Sequence, residues 1–268
     1  MPLALCATPI GNLEDVTLRV LAELAAADVV LCEDTRHTRV LLDRHGIAAR
    51  LLSYHEHNEA RRTAEILPRL EAGERVALVS DAGLPGVSDP GARLVRAALD
   101  AGVEVTVLPG PSAVETALVA SGLVADQYRF LGFLPRGAKQ LAALWEELRA
   151  WPWPAVAFES PQRLPATLRS LAAAEPDRDV AICRELTKRF EEVARGPASE
   201  LAERFAQAPK GEITVVLGPG AAGAGSDVSE ARAAVAELVT AGVPRRQAAA
   251  VVSRLSDVPR NRLYDASL

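Results

Sequence analysis

The sequence has few cysteines and aromatic residues, and it contains no long hydrophobic run. Its three cysteines, Cys6, Cys32 and Cys183, are far apart, and each ends a short apolar run. That pattern is typical of small core residues and argues against a disulfide framework or a cysteine metal site. No apolar stretch approaches the ~20 residues that a membrane helix needs, and the start, MPLALC, does not have the features of a secretory leader. We therefore expect a cytoplasmic protein without a membrane segment.

The common phosphate-binding motifs are also missing from the most conspicuous glycine-rich stretch, VALVSDAGLPGVSDPG, at residues 76–91. It has neither the lysine of a Walker loop nor the G-x-G-x-x-G spacing of a dinucleotide site. Instead Asp81 and Asp89 place negative charge after a buried strand, which favours a ligand with hydroxyls, an amine or a positive centre. S-adenosylmethionine carries all three. The alternative is a turn in which Asp89 caps a helix that begins near Pro90.

Charge and composition limit the classes of function. The 268 residues have 49% hydrophobic and 24% charged residues, with a formal net charge of −5, as in a soluble globular protein with one large or two modest domains. The negative charge argues against a surface that coats nucleic acid, although a local basic face is compatible with it. Only three of the 30 basic residues are lysines, so an arginine by itself carries little information here.

A repeated strand, glycine loop and helix predicts a doubly wound α/β fold in the first part of the chain. The strands are Leu3–Ala7, Val29–Cys32, Val76–Val79 and Val103–Leu108, and further strands are expected at 155–158, 180–183 and 213–217. We predict two α/β domains, 1–120 and 121–218, a linker at 219–228, and a helical module at 229–268. Helices are expected near 229–241 and 245–255, and a third from Pro259.

Polar clusters follow several predicted strands. EDTRHTR at 33–39, SYHEHNE at 53–59 and RELTKRFEE at 184–192 combine acids, histidines and cations. A solvated helix start would explain the first cluster equally well. His55 and His57 would share one face of a strand, as metal ligands can, but the third ligand of the usual signatures is missing. Histidine can also act as a general base near neutral pH.

Together these stretches resemble the tetrapyrrole-methylase superfamily of S-adenosylmethionine enzymes, and within it the ribosomal RNA small subunit methyltransferase I family. The matching motifs are ATPIGNLEDVTLRVL (7–21), CEDTRHTRVLL (32–42), SYHEHNE (53–59), LVSDAGLPGVSDPG (78–91), LPGPSAVETALVASGL (108–123), FLGFLPR (130–136), ESPQRL (159–164), RELTKRFEEV (184–193) and GEITVVLG (211–218). The glycine and aspartate loops are shared with relatives that methylate porphyrin precursors. EDTRHTR, SYHEHNE and RELTK resemble the RNA-directed branch.

The resemblance implies two α/β domains with the methyl donor in the cleft between them, usually in a homodimer. It implies transfer of a methyl group from S-adenosylmethionine to the ribose 2′-hydroxyl of a cytidine in the decoding region of 16S ribosomal RNA, in free RNA or in an assembled 30S subunit. No metal is implied. The residues that it places at or near the cofactor are Pro9, Asp81, Ala82, Gly83, Ser88, Asp89, Pro109, Ser112, Ala113, Phe133 and Leu134.

Roles in catalysis and RNA binding are less fully specified. Glu33, Asp34, His55, Glu185 and Lys188 are candidates for orienting or deprotonating the hydroxyl, and the residues alone do not decide among them. The candidates for holding phosphates are Arg36, Arg39 and Arg184, with Lys188 as a further one.

Two other functions remain open at this stage. A tetrapyrrole-precursor C-methyltransferase would use the same cofactor, and its substrate carboxylates would suit the same arginines. A nucleic-acid-binding module would instead use the terminal helices, with the α/β body as a scaffold.

Overall fold

The computed structural model describes residues 2–220, 228–256, 258, 260 and 263. The chain divides into two compact units, Met1–Thr116 with Glu185–Glu191, and Ala117–Arg184 with Glu192–Leu268. The domain limits at residues 120 and 218 stay predictions. Residues 221–227 of the predicted linker, and most of the predicted third helix from Pro259, lie outside the described residues.

The first unit is a five-stranded parallel sheet with helices in its connections. Its elements are β1 Leu3–Cys6, a 3₁₀ turn Leu13–Asp15, α1 Leu18–Ala26, β2 Val29–Cys32, α2 Thr35–Arg44, β3 Leu51–Ser53, α3 Glu59–Glu71, β4 Val76–Val79, α4 Ala92–Asp100 and β5 Val105–Leu108; α5, Ala113–Ser121, begins in this unit. The strand order is β3-β2-β4-β1-β5. The predicted α/β class and the first parallel sheet are therefore confirmed.

Alternate residues of these strands enter two different cores, which explains why the strands are apolar without alternation. On one face Leu5, Leu31 and Leu78 pack in a cluster that includes residues of α3 and α4. On the other face Cys6 and Val79 pack in a cluster that includes residues of α1 and α2. All three cysteines are buried thiols, as expected for small core residues.

Local side-chain caps fix where the first helices begin. The Thr17 hydroxyl accepts a hydrogen bond from the N–H of Val20 at the start of α1, and the Asp34 carboxylate accepts one from the N–H of Arg36 at the start of α2. The alternative in which Asp89 caps the next helix is wrong. Helix α4 begins at Ala92, with Gly91 in the capping position. The φ angle of Gly91 is 144°, a backbone conformation that residues other than glycine rarely adopt.

The second unit has a mixed sheet. Its elements are β6 Arg129–Phe133, α6 Ala138–Arg149, β7 Ala155–Glu159, α7 Leu164–Ala174, β8 Asp179–Arg184, β9 Glu192–Pro197, α8 Ala198–Arg204, β10 Ile213–Leu217, α9 Val228–Thr240 and α10 Arg245–Ser256. The order is β6-β7-β10-β8-β9, with β10 antiparallel to both neighbours. The core is built around Trp145, whose indole N–H donates to Ser170 Oγ at 3.0 Å.

Two strands of this sheet, β6 and β9, escaped the sequence analysis. β9 pairs with β8 as an antiparallel hairpin, whereas residues 184–192 were interpreted only as the exit of a strand. β9 has the sequence EVARGP and pairs only with β8 at the edge of the sheet. Its glycine, proline and charged residues are tolerated at an edge but hide the strand from a hydrophobic pattern.

The last described part of the chain is helical. Helices α9 and α10 share an apolar cluster that includes Val235, Ala249 and Val252. Before them, Gly218 and Gly220 at the start of the glycine-rich stretch donate hydrogen bonds to the carbonyls of Asp179 and Trp151. Across the residues that the structure describes, every helix is too short or too polar to cross a lipid bilayer.

Candidate functional site

The loops that follow the five strands of the first unit leave the sheet at one edge. Parallel pairing sets Cys6, the last residue of β1, beside Val79 and Leu108, which end β4 and β5. Cys32 is likewise set beside Ser53. In open parallel sheets this carboxyl edge is where small ligands bind. It carries nine of the eleven predicted cofactor residues: Pro9, Asp81, Ala82, Gly83, Ser88, Asp89, Pro109, Ser112 and Ala113.

The loop after β4 is hydrogen-bonded to the loop after β1. Thr8 and Gly83 exchange backbone bonds of 2.8 and 3.1 Å. The hydroxyl of Thr8 donates to the carbonyl of Ser80 at 3.0 Å, and that of Ser80 donates to the carbonyl of Gly83 at the same distance. These bonds hold the two loops together next to Asp81. Neither hydroxyl was predicted from the sequence, although Thr8 and Ser80 each come directly after a predicted strand.

The far end of the same loop is held by Glu59. The Glu59 Oε1 atom accepts a hydrogen bond from the N–H of Gly91 and another from the hydroxyl of Tyr54, each at 3.1 Å. Tyr54 is fully buried. Within the loop, Ser88 has φ 62°, a left-handed conformation that costs a non-glycine residue of order 1–3 kcal/mol and is concentrated at functional sites.

Three carboxylates give the edge a negative potential. Burial, with the charges of Glu33 and Asp81 nearby, raises the pKa of Asp89 to about 6. Burial, and then the charge of Asp81, also raises the pKa of Glu33. The third carboxylate, Asp81, accepts a hydrogen bond from the N–H of Asp34 at 3.2 Å. Such a cluster repels phosphate and suits a ligand with a positive centre.

Asp34 is engaged by its own helix. Besides capping α2, its carboxylate forms a two-point ion pair with Arg36, with Nε to Oδ1 at 3.1 Å and Nη2 to Oδ2 at 2.7 Å. Hydrogen bonds from the Arg36 side chain and backbone lower the pKa of Asp34. A carboxylate held in this way is a weak proton acceptor. The Arg36 side chain is 90% exposed, so it faces solvent as a contact to an anion would require.

His55 has one ring nitrogen occupied. Its Nε2 lies 3.0 Å from Asn58 Nδ2, and the amide orientation of Asn58 is fixed because Oδ1 accepts from the His55 N–H while Nδ2 donates to the Ser53 carbonyl. Nε2 is therefore the acceptor, and the proton of the neutral ring lies on Nδ1. Nδ1 is buried without a hydrogen-bond partner in the described residues. With Nε2 occupied by Asn58 and Nδ1 buried, neither ring nitrogen of His55 is placed to take a proton from a substrate.

The segment 185–191 completes the first unit. Lys188 Nζ donates to Glu185 Oε1 at 2.9 Å, so two of the predicted catalytic residues form one ion pair. Glu185 and Thr187 both have left-handed backbones, at φ 52° and 63°. The segment packs on Gly11, where an added Cβ would lie 2.5 Å from Lys188 Cγ and 2.7 Å from the carbonyl oxygen of Leu186.

The remaining predicted residues have different surroundings. Arg39 Nη2 donates to the carbonyl of Ala49 at 3.3 Å, and Arg184, in the second unit, pairs with Glu192 at 2.9 Å. Phe133 is 62% exposed, but Leu134 is 2% exposed within the core of the second unit. Its N–H and carbonyl are also bonded, to Phe158 and Arg163, which leaves Leu134 little to offer a ligand.

No three His, Cys, Asp or Glu side chains in the described part of the chain are arranged to hold a metal ion. The sequence did not single out the residues that hold the loop after β4 in place, such as Glu59, or the arginines that line a groove nearby. Glu59 lies inside the quoted SYHEHNE motif, so the motif itself was the signal. Arg44 and Arg189 line an open groove with Gly11; Arg189 lies inside the quoted RELTKRFEEV motif, whereas Arg44 had no sequence signal beyond its charge.

The comparisons with known proteins identify the family. The family described as Tetrapyrrole (Corrin/Porphyrin) Methylases matches residues 2–202. A ribosomal RNA small subunit methyltransferase I of Mesorhizobium japonicum is 47% identical over 265 residues, 98% of this chain and 90% of the relative. The chain belongs to the ribosomal RNA small subunit methyltransferase I family. The member from Thermotoga maritima is 48% identical over 216 residues, 80% of this chain and 97% of its own.

Solved structures agree with membership of this family at the level of the fold. A uroporphyrin-III C-methyltransferase from Thermus thermophilus, solved with S-adenosylhomocysteine, has a TM-score of 0.58 at 21% identity, over 81% of this chain and 96% of its own. A diphthine synthase has a TM-score of 0.64 at 16% identity, over 81% and 89%. At such identities the likeness concerns the fold alone.

Proposed function

We propose that this protein transfers a methyl group from S-adenosylmethionine to the ribose 2′-hydroxyl of a cytidine in the decoding region of 16S ribosomal RNA. Membership of the family supports ribosomal RNA as the substrate class, because the relatives named for that substrate share 41–48% of their residues with this chain. The observation that carries the choice of donor is the carboxylate-lined sheet edge of Asp81, Asp89 and Glu33, which suits the sulfonium and amino groups of S-adenosylmethionine.

The donor supplies an activated methyl group: as the ribose oxygen bonds to the methyl carbon, the carbon–sulfur bond breaks and its electrons leave a neutral thioether. The protein must hold the hydroxyl in line with the methyl group and accept its proton. Asp81 and Asp89 hold the positive end of the donor. The backbone between Gly83 and Gly91, fixed by Thr8 and Glu59, gives the donor a preformed surface.

Proton acceptance falls to Glu33 or Glu185. Asp34 is a weak acceptor because Arg36 holds it ionised, and the ring nitrogens of His55 are occupied by Asn58 or buried. Glu33 has a raised pKa, which suits a base near neutral pH. Glu185 is the alternative, with Lys188 to orient it. Glu33→Gln and Glu185→Gln separate the two: the base variant should lose about 10²–10⁴-fold in kcat and the acid limb of its pH profile, while donor affinity persists.

Arginines around the site hold the RNA. Arg36 is the most exposed of the three predicted phosphate contacts, and Arg39 and Arg184 are half-buried. Alanine at Arg36 should lower RNA affinity and flatten its dependence on salt, since each phosphate contact in single strands contributes about 0.7 to the slope. An unchanged slope would remove Arg36 from the RNA surface.

The deciding experiment is transfer of labelled methyl groups to small ribosomal subunits that lack the modification, followed by digestion to nucleosides. Label in 2′-O-methylcytidine is expected. Free 16S RNA tested in parallel separates naked RNA from the assembled subunit as substrate. A tetrapyrrole precursor serves as the counter-substrate: a change in its absorption after oxidation, without label in RNA, would replace the proposal by C-methylation of a porphyrin precursor.

Assembly and location are part of the same proposal. By family resemblance we expect a cytoplasmic homodimer. Light scattering after size exclusion tests the dimer, and a mass of one chain at micromolar concentration would contradict it.

A further inference from the structure

An open groove of about 740 Å³ lies in the first unit, beyond the predicted cofactor loop. It is lined by Gly11–Glu14, Arg44 and Thr187–Arg189. Three lining side chains are cationic, Arg44, Lys188 and Arg189, and one, Glu14, is acidic. The groove is therefore positive, unlike the neighbouring sheet edge with its three carboxylates. This contrast indicates a different ligand.

The walls of the groove are built to hold their shape. The N–H of Asn12 donates to Thr187 Oγ1 at 2.9 Å, and Glu191 accepts from the N–H of Thr187 at 2.6 Å. Gly11 leaves no room for a side chain between them. The groove also adjoins the proposed donor site, because Gly11 follows by three residues the Thr8 that is paired with Gly83.

The Arg44 side chain in the groove is accessible to a ligand. Arg44 pairs with Glu14, but both side chains are more than half exposed, and exposed ion pairs contribute little to stability. Arg44 can therefore exchange that partner for a phosphate.

An exposed aromatic ring stands next to the cations. Phe190 is 66% exposed, and the guanidinium of Arg189 lies over its ring, 5.5 Å from the centroid. Positive grooves flanked by exposed aromatics are how proteins hold single-stranded nucleic acids, with phosphates on the cations and a base on the ring. Neither the sheet edge nor the donor needs this ring.

We propose that the groove binds the RNA strand beside the methylated nucleotide, with Arg44 and Arg189 on phosphates and Phe190 stacked on a base. The assignment rests on the proposed function, since it concerns where the same RNA substrate continues outside the donor site. Arg36 and Arg44 lie at opposite ends of α2, eight residues or ~12 Å apart. A strand in contact with both runs along that helix from the reaction centre to the groove.

The test uses the full-length protein and three variants, Phe190→Leu, Arg44→Ala and Arg189→Ala, with Arg96→Ala as the matched control. Arg96 is an exposed arginine paired with Asp100 on α4, outside the groove. Binding to small subunits without the modification is measured across a salt series, and binding of S-adenosylmethionine by calorimetry. Phe190→Leu should lose about tenfold in RNA affinity, and each arginine variant should flatten the salt slope by about 0.7. Donor affinity should not change.

The outcomes separate this assignment from the proposed function. If wild-type protein methylates the subunit and all three variants bind RNA as the Arg96→Ala control does, the groove is not part of the RNA surface and the proposed function stands. If wild-type protein neither binds nor methylates the subunit, the proposed function fails and the groove assignment fails with it. Because all three side chains are exposed, thermal unfolding should match wild type in every variant.

Discussion

The carboxylate of Glu59 accepts a hydrogen bond of 3.1 Å from the backbone N–H of Gly91. Glu59 begins α3, and Gly91 ends the glycine and aspartate loop, so a side chain from one motif fixes the backbone of another. The same oxygen accepts from the hydroxyl of Tyr54. The conformation of the loop after β4, to which we assign the methyl donor, therefore depends on a residue of the polar motif that follows β3.

Replacing Glu59 by alanine should weaken donor binding without removing a donor contact. The change leaves the Gly91 N–H without its acceptor, which costs about 1–3 kcal/mol, whereas the buried Tyr54 hydroxyl keeps Thr63 Oγ1 as a partner at 3.1 Å. We expect the affinity for S-adenosylmethionine to fall about fivefold to a hundredfold in calorimetry. Glu65→Ala on the same helix removes only an exposed pair with Arg62 and is the control. Equal affinities for the two variants would contradict the role of Glu59.

Asp89 should make the stability of the protein dependent on pH. Its folded pKa of about 6 lies above the ordinary value of 3.8, so its contribution to stability is complete below pH 3.8 and is lost as the pH rises through 6. The free energy of unfolding of the wild type, relative to Asp89→Asn, should therefore decrease between pH 4 and pH 7. Denaturant titrations at intervals across this range measure the difference. A constant difference would show that Asp89 does not titrate in this window.

The same carboxylate should release protons when the donor binds. A positive ligand stabilises the ionised form of Asp89 and lowers its pKa, so at pH 6 binding should expel a fraction of a proton. Calorimetry in buffers with different ionisation enthalpies measures that number. Asp89→Asn should expel fewer protons, and proton release equal to that of the wild type would assign it to another group.

Asp81 should contribute to donor affinity through its charge. Asp81→Asn keeps the shape of the side chain and an acceptor for the N–H of Asp34, yet removes one negative charge. We expect roughly a tenfold loss in donor affinity, greater at low salt than at high salt. Asp100→Asn, in an exposed pair on α4, controls for net charge. Calorimetry that finds the Asp81 variant unchanged would move the positive end of the donor away from Asp81.

Gly11 should not tolerate even a methyl group. Gly11→Ala would place Cβ 2.5 Å from Lys188 Cγ and 2.7 Å from the carbonyl oxygen of Leu186, so segment 185–191 must move. Overpacking of this kind costs about 1–3 kcal/mol, measurable by chemical denaturation, and methyl transfer to RNA should fall. At Gly137 the added Cβ would meet only the end of the flexible Gln140 side chain, so Gly137→Ala is the control. Equal losses in both variants would argue against a rigid wall at Gly11.

The three central strands of the first sheet could be predicted from sequence because they are buried on both faces. Val76–Val79 and Val29–Cys32 are uninterrupted apolar runs, and their burial on both faces produces that pattern directly. β9 could not be found in the same way, since an edge strand with one neighbour needs no apolar pattern.

The site divides along similar lines. Asp81 and Asp89 were found because they lie in the glycine-rich loop after a strand that the sequence reveals. The pairing of Asp34 with Arg36 and the tautomer of His55 depend on side-chain geometry, which residue types alone do not specify. The contact between Asn12 and Thr187 joins positions 175 residues apart, and nothing local in either segment encodes it.

The first unit is made of two separate stretches of the chain, 1–116 and 185–191. During synthesis the second stretch is therefore made well after the first. A chain synthesised from its first residue has made all five strands of the first sheet by residue 108. The wall of 185–191 is made only after three strands of the second unit, β6, β7 and β8. A nascent chain of 113–184 residues therefore contains the nine predicted cofactor residues of the sheet edge and Arg44, but not the groove wall at 187–189. The surface that we assign to the methyl donor is thus synthesised before part of the surface that we assign to the RNA, although the two are neighbours in the finished unit.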